Sequence, residues 1–185
     1  MKKLLNRAMA ILAKRDHSEY ELRRKLAAQF SFNSSNGFNS SGTYQKKSRR
    51  SGSSLSENIL ESEKILSKEE LSEQIESVIQ YCYEYHWLDD RKFADSFIRI
   101  RSSKGYGPQR IQAELQHKGV NKDIIYSALA DCEIDWVELA HKLVVKQFNN
   151  RHFSDWKSKS KAYNYLVYRG FYSDDVNEAL KKAAV

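Results

Sequence analysis

One proline and seven glycines stand in a chain of 185 residues. That scarcity leaves few obligatory breaks and favours long helical segments. Strict alternation of apolar and polar residues is absent, which removes the main signature of a half-buried strand. Cysteine occurs twice, at Cys82 and Cys132. Both fall on apolar helical faces, which predicts buried thiols rather than a disulfide framework. No apolar run approaches the roughly 20 residues needed to span a bilayer. Asn6, Arg7, Lys14 and Arg15 interrupt the apolar start of the chain, so no secretory apolar region forms, and a cytoplasmic location is expected.

Chemistry-bearing patterns are also missing. The glycines do not form a phosphate loop followed by Lys-Ser or Lys-Thr. The five histidines are scattered. Cys82 and His86, four apart, are two metal ligands without a second pair. Asp89-Asp90 and Asp174-Asp175 stand at helix starts, where capping explains them better than acid–base work. No serine has a nominated base. The expectation is no catalytic residue, no metal and no cofactor: not an enzyme.

What is present is charge and helical periodicity. Lys and Arg number 31 against 24 Asp and Glu, a formal net charge of +7. That excess favours a polyanionic partner or an acidic protein surface. Leu4, Leu5, Ala8, Ile11 and Leu12 mark a first amphipathic helix, over 4–14. Ser18 and Glu21 form a capping-box pattern for a second helix, and Ser67 with Glu70 forms another for a third. From 31 to about 66, Ser, Asn and Gly dominate around the basic cluster Lys46 to Arg50. Such a stretch buries too little apolar surface to offset its ordering entropy and reads as a flexible insertion. Asp90, Asn121 and Ser173 are expected caps, and Gly105, Gly119 and Gly170 are expected helix stops. A loop is expected from Asn149 to Ser154.

The pattern repeats. Ser18, Leu22 and Leu26 align with Gly107, Ile111 and Leu115, while Leu115 to Val120 aligns with Leu166 to Phe171. Each unit is helix, corner, helix, stop, helix, and stacking lets such units share apolar surface. The expected fold is all-α: three tandem three-helix repeats in an elongated, curved array. The units are 1–87, containing the insertion, then 88–133 and 134–185.

Basic residues recur on or beside the second helices: Arg15, Arg23, Arg24 and Lys25 in the first unit, Arg101, Lys104 and Arg110 in the second, Arg169 in the third. Tyr106 sits on the Gly105–Pro108 corner, and Tyr168 beside Arg169. If the repeats stack in register, these ten residues line one surface suited to phosphate neutralisation, base stacking or a protein hot spot. At least half of the tyrosines that accompany these cations are expected to lie in the core or at its rim, packed against the next unit. A corner of this kind also fits a helix-turn-helix reader of duplex DNA, and a scaffold binding an acidic protein is a third possibility.

Three stretches carry a family resemblance. They are Ile11 to Ser18 with Glu21 to Leu26, Leu88 to Ala94, and Lys104 to Pro108 with Arg110-Ile111 and Glu114-Leu115. The chain closely resembles the bacterial RecX family of regulatory proteins over nearly its whole length, through Tyr168-Arg169-Gly170-Phe171; residues 31 to about 66 depart from it. The resemblance implies three tandem three-helix repeats. It implies a monomer that binds the RecA recombinase filament on single-stranded DNA, with weak direct DNA contact. It further implies inhibition of strand exchange, ATP hydrolysis and the co-protease activity that drives the SOS response in DNA repair. The family offers no single contact motif, so it implies a surface rather than a residue set.

Overall fold

The computed structural model describes residues 2–33, 67–148 and 156–183. Among the described residues the only regular elements are helices: α1 Lys2–Leu12, α2 Glu19–Asn33, α3 Lys68–Glu84, α4 Asp90–Ser103, α5 Pro108–His117, α6 Lys122–Asp131, α7 Trp136–Phe148, α8 Trp156–Tyr168 and α9 Ser173–Lys182. No helix among them is long and apolar enough to cross a membrane. α2 runs to Asn33, so it extends past residue 31. The rest of the expected insertion, and the expected loop at 149–154, lie outside the described residues.

Three separate cores follow the chain order. Leu4, Ala8 and Ile11 of α1 meet Leu22 and Leu26 of α2 and Ile75, Val78, Ile79 and Cys82 of α3. Phe93, Ala94 and Ile98 of α4 meet Ile111 and Leu115 of α5 and Ile125 and Ala128 of α6. Ala140 and Val144 of α7 meet Ala162 and Leu166 of α8 and Val176, Ala179 and Leu180 of α9. Each fully buried aliphatic side chain contributes roughly 1.5–3 kcal/mol, so a core of eight or ten is modest. Trp136 packs against both the second and the third core.

The helix ends show why the units repeat. At four of them the chain turns back through a left-handed residue, and the next amide reaches the carbonyl five residues behind it. Those amide–carbonyl pairs are Trp87 to Cys82, Tyr106 to Arg101, Val120 to Leu115 and Phe171 to Leu166. Glycine takes the left-handed position three times, at Gly105, Gly119 and Gly170, with φ of 76°, 76° and 89°. His86 takes it once, at φ 55°. Val120 and Phe171 are thereby delivered into their cores.

The caps hold with three changes. Ser67 and Glu70 form the full capping box, and Asn121 accepts from the Asp123 amide. Asp89, not Asp90, caps α4 by accepting from the Arg91 and Lys92 amides. Asp90 instead accepts from the Glu19 amide at 2.8 Å, across to the first unit. Ser18 accepts from the Glu21 amide at 3.2 Å, but the Glu21 carboxylate does not return the bond. It takes Arg15 and Lys118 instead. Ser173 is the first residue of α9, with Tyr172 in the cap position and no side-chain bond.

Candidate protein and nucleic-acid interface

Neighbouring units meet corner to stop, twice, by one rule. The start of the second helix in one unit docks on the end of the second helix in the next. At the first junction the Ser18 hydroxyl donates to the Lys118 carbonyl at 2.6 Å, and the Lys118 ammonium reaches Glu21 at 2.5 Å. At the second, the Gly107 amide donates to the Arg169 carbonyl at 2.9 Å, and the Gln109 amide to the Gly170 carbonyl at 3.0 Å. Gly107 is needed for that approach: a Cβ there would lie 2.5 Å from the Phe171 nitrogen.

The second junction gathers six of the ten sequence-predicted residues: Arg101, Lys104, Tyr106, Arg110, Tyr168 and Arg169. Guanidinium carbons of Arg101, Arg110 and Arg169 lie 5.2, 4.5 and 5.7 Å from the Tyr106 ring centroid. Arg110 also lies 5.9 Å from the Tyr168 ring, which is 81% exposed, and Arg169 lies 4.9 Å from Tyr165. Glu114 holds Arg101 at 2.7 Å and Arg110 at 3.2 Å, which limits their mutual repulsion. The Arg169 guanidinium donates to the Lys104 and Gly105 carbonyls, both at 3.1 Å, where the end of α4 concentrates negative dipole. Lys104 itself is exposed.

The first junction holds the others less uniformly. Arg15 donates to Glu21 at 3.0 Å and to the Asp16 carbonyl. Arg23 is held between Glu19 at 2.6 Å and Glu76 at 2.7 Å, which raises its pKa further and ties α2 to α3. Its structural role leaves it a poor contact for a partner. Arg24 is exposed and, among the described residues, has no intrachain partner. Lys25 donates to the buried His17 ring, Nζ to Nε2 at 2.6 Å.

Lys118 joins the two groups, and sequence reading missed it. Its ammonium lies 5.5 Å from the Phe97 centroid, and Arg101 lies 5.2 Å from the same ring. A continuous ladder results: Glu21, Lys118, Phe97, Arg101, Tyr106, then Arg110 with Tyr168 and Arg169 with Tyr165. The signal was available, because the repeat alignment sets Lys118 on Arg169, each one residue before a stop glycine.

The pKa values of Glu21 and His17 at the first junction are both shifted downward. Burial opposes charge on Glu21, but hydrogen bonds from Lys118 and Arg15 prevail and hold its pKa below the ordinary value. His17 Nδ1 contacts the Arg15 carbonyl at 2.8 Å, and Nε2 must accept from Lys25, so the ring is a neutral tautomer. Burial, helped by the charges of Arg15 and Lys25, pushes its pKa below 6.5 against the hydrogen bond to the Arg15 carbonyl and a weaker pull from Glu21. A lowered folded-state pKa means that the unfolded chain binds the proton better. Stability is therefore full above pH 6.5 and falls as the pH drops below it. The thermal midpoint is expected to fall between about pH 7.5 and 5.5, and His17→Gln to flatten that dependence. Parallel curves for both proteins would refute the assignment.

Among the described residues, no group of three or more His, Cys, Asp or Glu is placed to hold a metal ion. Cys82 is buried in the first core and His86 is exposed on its turn. Three small helical units joined corner to stop, with a cation–aromatic ladder that crosses the second joint and meets the first through the Lys118–Glu21 pair, define an all-α tandem-repeat protein. The chain is 44% identical over 184 residues to "Regulatory protein RecX" of Serratia proteamaculans (strain 568), covering all of this chain and 99% of that one. It belongs to the RecX family of regulatory proteins. The family models for the second and third RecX three-helix domains match residues 89–129 and 133–180. "Regulatory protein RecX" of Yersinia pseudotuberculosis serotype O:1b is also 44% identical, over 93% of each chain. The fold is similar to the crystal structure of RecX from Lactobacillus salivarius, with a TM-score of 0.66 at 18% identity, over 98% of this chain and 95% of that one.

Proposed function

We propose that this chain binds the RecA recombinase filament on single-stranded DNA in the cytoplasm and restrains its recombinase, ATPase and co-protease activities. The observation that carries this reading is the ladder from Lys118 to Tyr168, which crosses the second unit junction and meets the first through the Lys118–Glu21 ion pair. Several half-exposed cations interleaved with rings offer many weak contacts to a polymer of protein and nucleic acid. Tethered on one chain, such contacts add through effective concentration. The chain's excess positive charge speeds the encounter and makes it sensitive to salt. The relatives' name, regulatory protein, agrees with control exerted by contact.

A free-standing helix-turn-helix reader is less well supported. Such a reader presents the start of its second helix to the major groove. Here the start of α5 is covered by Arg169, Gly170 and Phe171 of the next unit. The test is DNA-dependent ATP hydrolysis by the recombinase on single-stranded DNA, with the chain added below stoichiometric amounts. Hydrolysis is expected to fall, and the effect to fade as salt rises. Unchanged hydrolysis at equimolar chain would refute the proposal.

A further inference from the structure

Outside the ladder, the last turn of α3 and the turn after it carry a second group of rings. Tyr81 and Tyr85 stack with centroids 4.3 Å apart. Trp87 lies 5.6 Å from each. Tyr85 is 55% exposed and Trp87 40%. The left-handed turn at His86 accounts for part of this, since the residue after such a turn commonly packs on the last helical turn, as Trp87 does on Tyr81. It does not account for Tyr85, which adds a third ring on the solvent side.

The helix that carries these rings is acidic, unlike the surroundings of the ladder. α3 carries Glu69, Glu70, Glu73, Glu76 and Glu84 against one cation, Lys68, on a chain of net charge +7. Arg23 holds Glu76. The Tyr81 phenol is pushed up first by its hydrogen bond to Tyr85, then by burial, with the Glu84 carboxylate adding to the effect. Phe97, Tyr106, Tyr165 and Tyr168 each have a cation of this chain over the ring. Among the described residues, none lies over Tyr81, Tyr85 or Trp87.

Ring faces are negative, and Trp and Tyr faces weakly attract ammonium and guanidinium groups at exposed sites. A carboxylate at the border adds to that attraction and repels phosphate. One free cation gains too little to bind, whereas a peptide offering several cations and their aliphatic stems uses all three rings at once. We propose that Tyr81, Tyr85 and Trp87, bordered by Glu84, form a docking platform for an arginine- or lysine-bearing segment of a protein partner, distinct from the ladder.

The test uses the full chain with two fluorescent probes: a blocked peptide of alternating arginine and alanine, and an oligothymidylate. Glu84→Gln combined with Tyr85→Ala is expected to raise the peptide's Kd about tenfold and to leave oligothymidylate affinity and the thermal midpoint unchanged. Trp87→Leu, which keeps an apolar residue on the turn, is expected to weaken the peptide as well. Glu73→Gln on the same helix is expected to change little. Equal losses from Glu73→Gln would assign the binding to bulk negative charge and overturn the platform. Loss of oligothymidylate affinity in the double variant would make the rings a base-stacking surface instead. A shift from dimer to monomer in the double variant, by sedimentation, would make a second copy the occupant. Unchanged peptide affinity in all variants would also overturn the proposal.

Discussion

Gly107→Ala will pull the second and third units apart at their shared corner. Gly107 has φ −84°, which any residue adopts, so alanine strains no dihedral there. The effect is crowding alone. The new methyl meets the Gly170 carbonyl group and lies 2.5 Å from the Phe171 nitrogen, all backbone atoms with no rotamer to change. Relief requires the two corners to separate, which breaks the Gly107 and Gln109 amide bonds to Arg169 and Gly170. Buried amides and carbonyls left unpaired cost about 1–3 kcal/mol each, so a total on the order of 3 kcal/mol or more is expected. Urea denaturation measures it. Far-ultraviolet circular dichroism should stay helical, because each core is internal to its unit. An unchanged urea midpoint would mean that the units are not locked by this contact.

The combination Arg24→Glu, Lys104→Glu and Tyr168→Ala will leave the fold intact and remove most of the proposed inhibition of the recombinase ATPase. All three side chains are exposed, and neither Arg24 nor Lys104 has a side-chain partner among the described residues. Tyr168 touches the ladder only through Arg110. Surface substitutions of this kind cost within about 0.5 kcal/mol of stability. If both cations meet the proposed polyanionic partner, two charge reversals are expected to weaken binding at least about tenfold and to flatten its salt dependence. Arg23→Glu makes the contrast, because it breaks the pairs with Glu19 and Glu76 and should lower stability instead. A stable triple variant with full inhibition and the original salt slope would remove this edge from the proposed contact.

The helical repeat was legible because its punctuation is local. A stop glycine needs only its own φ, and the capping box at Ser67 needs only three residues of chain. Where reading failed, the deciding partner was distant. Asp89 and Asp90 are equivalent as caps until the Glu19 amide, 71 positions away, claims the second carboxylate. Glu21 looks like half of a box until Lys118 arrives from the next unit. Arg23 reads as a free cation, since nothing nearby in the chain announces Glu76 from α3. Six of the ten candidate residues share one junction, where the start of α5 docks on the end of α8. Lys118 was within reach of the same alignment. Its place over Phe97 depends on the crossing of α4 with α5, which periodicity does not encode.

The first joint is made of side-chain bonds to backbone groups and the Lys118–Glu21 ion pair, the second chiefly of backbone bonds, while each core closes on its own three helices. Such a chain opens like beads on a wire rather than as one block. The middle bead is gripped from both sides and each end bead from one. Amide exchange should therefore be slowest in α4–α6, and the protein can flex at its ends while the centre keeps its form.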